Sequence, residues 1–83
     1  MNVEDLLTKI NTFKAEHPAC TFELSVERVI DLDDLYGELY LFAFEESNPT
    51  ESVDDELLLT IEKPTKEDFA QLEEIAEALR QFV

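Results

Sequence analysis

Between Leu35 and Glu45 the chain is apolar on both parities of a strand. One parity carries Leu35, Gly37, Leu39, Leu41 and Ala43; the other carries Tyr36, Glu38, Tyr40, Phe42 and Phe44. Successive side chains point to opposite faces of a strand, so this segment presents one aliphatic face and one aromatic face. Burying Glu38 is the costlier choice, and the aliphatic parity is therefore expected to join the core. In a meander the segment is the central strand, and its aromatic parity lies on the open side of the sheet.

The flanking segments supply the rest of the fold. Asn2 is placed to cap a helix with Glu4 and Asp5 in its first turn, where the helix dipole favours anions. Val3, Leu6, Leu7, Ile10 and Phe13 recur at helical spacing, and Pro18 stops the helix near His17. Cys20, Phe22, Leu24 and Val26 alternate with Thr21, Glu23, Ser25 and Glu27, which predicts a half-buried strand. Asp31, Asp33 and Asp34 form a turn before the second strand. Glu45 to Glu56 reads as a polar, acidic loop broken by Pro49. Leu57, Leu59 and Ile61 are expected to face inward on a third strand, with Leu58, Thr60 and Glu62 on its open side. Pro64 and Thr65 open a last helix with Asp68 completing a capping box, and Phe69, Leu72, Ile75, Ala76, Leu79 and Phe82 form its buried stripe. The order α-β-β-β-α predicts a single α+β domain over residues 1–83, a three-stranded antiparallel meander with both helices packed on one face.

This domain carries 21 Asp or Glu against 6 Lys or Arg, a formal net charge of -15. Such an excess repels itself in a compact state, and a small domain needs a net charge of only about 2–8 for solubility. At 45% apolar residues, the chain is too hydrophobic for an acidic disordered tail. Nucleic acid and anionic membrane surfaces both repel it, so neither is an expected ligand. The first ten residues, MNVEDLLTKI, lack the basic stretch of a secretory signal, and a cytoplasmic protein is expected.

No motif points to catalysis. His17 and Cys20 are the only histidine and cysteine, and a thiol nucleophile with its base would need both. Cys20, however, has the apolar parity of the first strand, and His17 sits at a helix end beside a proline. Two soft ligands do not make a zinc site. Asp31, Asp33 and Asp34 begin like a calcium loop, but Tyr36 stands where that loop needs glycine and Phe42 where it needs glutamate. Gly37 is the single glycine, so no loop cradles phosphate. Neither an enzyme nor a cofactor is expected.

The element order resembles that of the double-stranded RNA-binding domain, a family that grips phosphates through a basic start to its last helix. Here that segment is Pro64-Thr65-Lys66-Glu67-Asp68, and the family's binding residues are absent. In charge, size and element order the chain resembles the small acidic DNA mimics of phages and mobile elements, including anti-CRISPR and anti-restriction proteins. That resemblance implies an inhibitor that occupies the nucleic-acid site of a basic protein. The residues expected to bind are Glu23, Glu27, Glu38, Tyr40, Phe42, Phe44, Glu45, Glu46, Glu51, Asp54, Asp55 and Glu56. The alternative is an immunity protein or secretion-chaperone-like module that covers a partner protein. A homodimer through the open sheet face is a further expectation.

Overall fold

A computed structural model describes residues 2–83 of the chain. Helix α1 spans Val3–Glu16, strands β1, β2 and β3 span Cys20–Asp31, Asp34–Glu45 and Asp54–Glu62, and helix α2 spans Lys66–Leu79, followed by a 3-10 turn at Arg80–Phe82. The strands form one antiparallel sheet in the order β1-β2-β3. This is the α-β-β-β-α meander that the sequence patterning predicts.

Both helix starts follow from their capping chemistry. The Asn2 side chain accepts the Glu4 N–H at 2.9 Å. At α2, Thr65 Oγ1 accepts the Asp68 N–H at 3.2 Å, while Asp68 accepts the Thr65 N–H at 2.8 Å. Asp replaces the usual Glu of this reciprocal pair and still reaches. The helices bury Leu6, Ile10 and Phe13 from α1 and Leu72, Ala76 and Leu79 from α2 against Leu24, Leu39, Leu41 and Ala43 of the sheet. The aliphatic parity of β2 thus faces both helices. Phe82, expected in the α2 stripe, lies beyond the helix in the 3-10 turn and is 43% exposed.

Gly37 belongs to the buried face, and α2 crosses it closely. A β-carbon there would stand 3.2 Å from both Leu72 Cδ1 and Phe69 Cε1. The guanidinium of Arg28, whose strand partner is Gly37, lies 5.4 Å from the Phe69 ring centre. Arg28 shares the parity of the apolar β1 residues, so its stem runs over the helix-covered face and its charge rests on an aromatic ring.

Strand β3 departs from the expected alternation. Its register against β2 shifts between Leu39 and Tyr40: Leu39 pairs with Leu59, but Tyr40 pairs with Leu57. Leu58 is the extra residue of this β-bulge and is buried in the core, while Leu57 lies across from Tyr40 on the open face. The expected inward position of Leu57 and outward position of Leu58 are therefore reversed. A bulge lets two adjacent residues serve one face, and here Leu58 and Leu59 both pack toward the helices. The strand also begins earlier than expected, so Asp54, Asp55 and Glu56 belong to β3 and not to the loop.

The β1–β2 hairpin closes through Leu32 and Asp33, at φ 50° and 68°. Two central residues at positive φ match the twist of the strands. Asp tolerates this region, whereas a leucine there costs about 1–2 kcal/mol.

Substitution of Gly37 by valine is expected to lower stability by about 1–3 kcal/mol, because the added methyls meet Leu72 and Phe69 in a filled space. Urea unfolding of Gly37→Val against the native protein measures this; an unchanged midpoint would mean that α2 moves aside freely.

Candidate protein-binding face

With both helices on one side of the sheet, the other side is defined by strand parity and register. β2 contributes Tyr36, Glu38, Tyr40, Phe42 and Phe44, all half-buried. Opposite them β1 places Val29, Glu27, Ser25, Glu23 and Thr21. On the other flank β3 places Glu62 beside Tyr36, Thr60 beside Glu38, Leu57 beside Tyr40 and Asp55 beside Phe42. No Lys or Arg occupies any of these positions.

The centre of this face is a ring pair. Tyr40 and Phe42 stack with centroids 5.6 Å apart and planes at 23°. Residues two apart on a strand are about 6.6 Å apart, so adjacent same-face aromatics meet this way without backbone distortion. Leu57, turned outward by the bulge, extends the apolar ridge across β3.

The rim is acidic, with no basic side chain in its paired positions. Glu27 and Glu38 are direct cross-strand partners. Like charges at such a pair destabilise the sheet. Two hydroxyls partly satisfy them: Tyr40 donates to Glu38 Oε1 at 3.1 Å and Ser25 donates to Glu27 Oε1 at 3.3 Å. Burial first, and then the Glu38 hydrogen bond and the charges of Glu38, Asp55 and Glu27, raise the pKa of Tyr40. Burial also leads the upward shift of Tyr36, with Asp34, Glu62, Asp31 and Glu38 adding to it. Both phenols stay protonated at neutral pH, inside a field that repels further negative charge.

Three of the chain's six Lys and Arg make contacts away from this face. Lys14 donates to the Phe82 carbonyl at 3.0 Å and lies over the Phe22 ring, Arg28 lies over Phe69, and Arg80 pairs with Glu77. These contacts all lie outside the paired positions of the open face.

The expected binding residues do not form one cluster. Glu23, Glu27, Glu38, Tyr40, Phe42, Phe44 and Asp55 share the open face. Glu45, Glu46 and Glu51 are exposed at the end of β2 and in the loop that follows it. Glu56 and Asp54 pair with Leu41 and Ala43, on the parity that the helices cover. Glu62 joins the rim although the notion of an acidic loop gives it no weight; its signal is its parity with Thr60.

Asp54 has a partner on the helix side. His17 ends α1, its N–H donating to the Lys14 carbonyl at 3.1 Å. Its Nδ1 lies 2.9 Å from the Phe13 carbonyl oxygen and its Nε2 lies 2.9 Å from Asp54 Oδ2. Two acceptors at the two ring nitrogens suit the doubly protonated imidazolium. The Phe13 carbonyl is the largest cause raising the His17 pKa above its usual 6.5, burial opposes it, and Asp54 reinforces it. Cys20, whose N–H donates to the His17 carbonyl at 3.1 Å, packs its side chain at the margin of the core. Among the described residues no group of three or more His, Cys, Asp or Glu is arranged to hold a metal ion. No helix among them is long and apolar enough to cross a membrane.

No family model matches the chain, and neither a curated protein nor a solved structure gives a match.

The His17–Asp54 contact should make stability depend on pH in a defined direction. Because folding raises the His17 pKa, its contribution is full below the usual 6.5 and is lost as pH rises through the folded value. Thermal melts of native protein and Asp54→Asn from about pH 5.5 to about pH 9 test this. The native advantage should be greatest at the acidic end and fade toward the alkaline end. A constant difference would show that Asp54 acts without the proton.

Proposed function

We propose that this domain is a non-catalytic inhibitor that binds a basic protein in the cytoplasm and covers a surface that otherwise holds nucleic acid. The observation that carries this reading is the make-up of the open face: a stacked aromatic pair among carboxylates, with no basic side chain in its strand positions. Proteins that grip phosphates do so with Lys and Arg. The facing Glu27 and Glu38 offer such a cation two carboxylates at once, and the Tyr40 ring beside them offers a cation–π contact. Aromatic residues enrich the centres of interfaces, and charged groups belong at the rim. Complementary charge speeds encounter and excludes acidic partners. A second copy of this chain would bring the same carboxylates to the same place, which disfavours pairing through this face. The reading puts the domain with the small acidic DNA mimics, the class that includes anti-CRISPR and anti-restriction proteins.

Affinity capture of a basic partner, followed by challenge with duplex DNA and with salt, tests the reading. Release by DNA is expected, as is a loss of affinity of at least about tenfold between about 0.05 and 0.2 M salt. A partner that DNA does not displace would favour the immunity-protein or chaperone-like alternative. Reversal of Glu27 and Glu38 to Lys should abolish binding, whereas reversal of Glu73 and Glu74, exposed on α2, should weaken it far less. Truncation of both Tyr40 and Phe42 to Ser should cost about 2 kcal/mol of binding or more. Equal sensitivity of the α2 and sheet variants would remove the open face from the proposal.

A further inference from the structure

The β1–β2 hairpin ends in two large apolar side chains that nothing in the fold covers. Leu32 is 90% exposed and Ile30 is 74% exposed. Single exposed apolar residues are ordinary, but these two stand together at one tip. Leu32 also holds a left-handed backbone at φ 50°, where glycine or asparagine is the favoured residue. The folded domain gains no burial from this leucine to offset that conformation.

The tip has a charged collar. Asp31 and Asp34 face each other as the last cross-strand pair, and Asp33 completes the turn. The collar is continuous with the face described above: Val29, Ile30, Asp31, Tyr36, Glu38 and Thr60 line a shallow hollow of about 420 Å³ between the tip and the aromatic ridge. A second copy of the chain fits poorly, because it would bring carboxylates against carboxylates. A partner with an apolar recess edged by Lys or Arg matches both the leucine and its collar.

We infer that the hairpin tip is a second anchor of the same interface, in which Leu32 and Ile30 enter an apolar recess with a basic rim on the partner protein. This rests on the reading of the open face as the surface that meets a basic partner. It extends that surface along the sheet to the end of the hairpin, where Leu32 stands in the turn and Ile30, paired with Leu35, lies on the opposite parity to the ridge, so that the recess closes around the tip from both sides of the sheet.

The test uses the full chain and two synthetic helical peptides of equal charge, one of Lys and Leu, the other of Lys and Ser. Amide shifts on titration with the Lys/Leu peptide are expected at Val29 to Tyr36. Leu32→Gly should bind that peptide about tenfold more weakly, the scale of one buried leucine. Its thermal stability should not fall, because glycine adopts positive φ freely. Ile30→Ser should weaken binding in the same direction. The Lys/Ser peptide should bind native protein and Leu32→Gly alike. Undiminished binding of the Lys/Leu peptide by Leu32→Gly overturns the inference, as do shifts confined to α2 or an equal loss with the Lys/Ser peptide. Displacement by DNA plays no part in these measurements, so DNA mimicry can fail while the tip anchor stands. Conversely, loss of the anchor leaves the DNA challenge and the Glu27/Glu38 reversals as they were.

Discussion

The structure depends on a choice forced on strand β2. Both of its faces are apolar, and a three-stranded sheet with two helices on one side can cover only one of them. The aliphatic face is the one that packs, because Gly37 and Ala43 let helices approach while Leu39 and Leu41 fill the space between. The aromatic face is left half-buried by its own sheet neighbours. The core and the open aromatic face are thus two sides of the same strand, separated by one residue of register.

Charge follows the same division. Lys14, Arg28 and Arg80 serve the helix side, one at a carbonyl, one over a ring and one in an ion pair. Strand parity gives the open side carboxylates and hydroxyls instead. Both sides of the domain are acidic, and what sets the open face apart within the total of -15 is that its carboxylates surround aromatic rings with no Lys or Arg in the same strand positions. A surface with both signs interspersed would be soluble and inert; on the proposed function, a face of one sign with an aromatic centre would select partners by charge and hold them by contact.

Much of this is legible in the chain because the periodicities are unbroken where the fold is regular. Alternation from Cys20 to Val26 marks β1, Asn2 and Thr65 mark the helix starts, and the parity of Tyr40 and Phe42 marks the ridge. The rest was hidden for identifiable reasons. Leu57, Leu58 and Leu59 are chemically identical and carry no period, so a bulge that exchanges the faces of two of them leaves no trace. Arg28 sits on an apolar parity, and only the place of Phe69 in three dimensions explains it. The His17–Asp54 contact joins residues far apart in sequence, across a helix end and a strand start. At the hairpin, the aspartates announce a turn, but the backbone geometry that thrusts Leu32 outward belongs to the strand twist.

The opposed pair Glu27 and Glu38 has a consequence for the free protein. Two carboxylates held face to face raise the free energy of the folded state, and a cation set between them would lower it. Such a ligand relieves a tension already present as well as making new contacts. On the proposed function, the unbound domain would be the less relaxed state, and occupancy of the face would tighten the whole sheet through its middle strand.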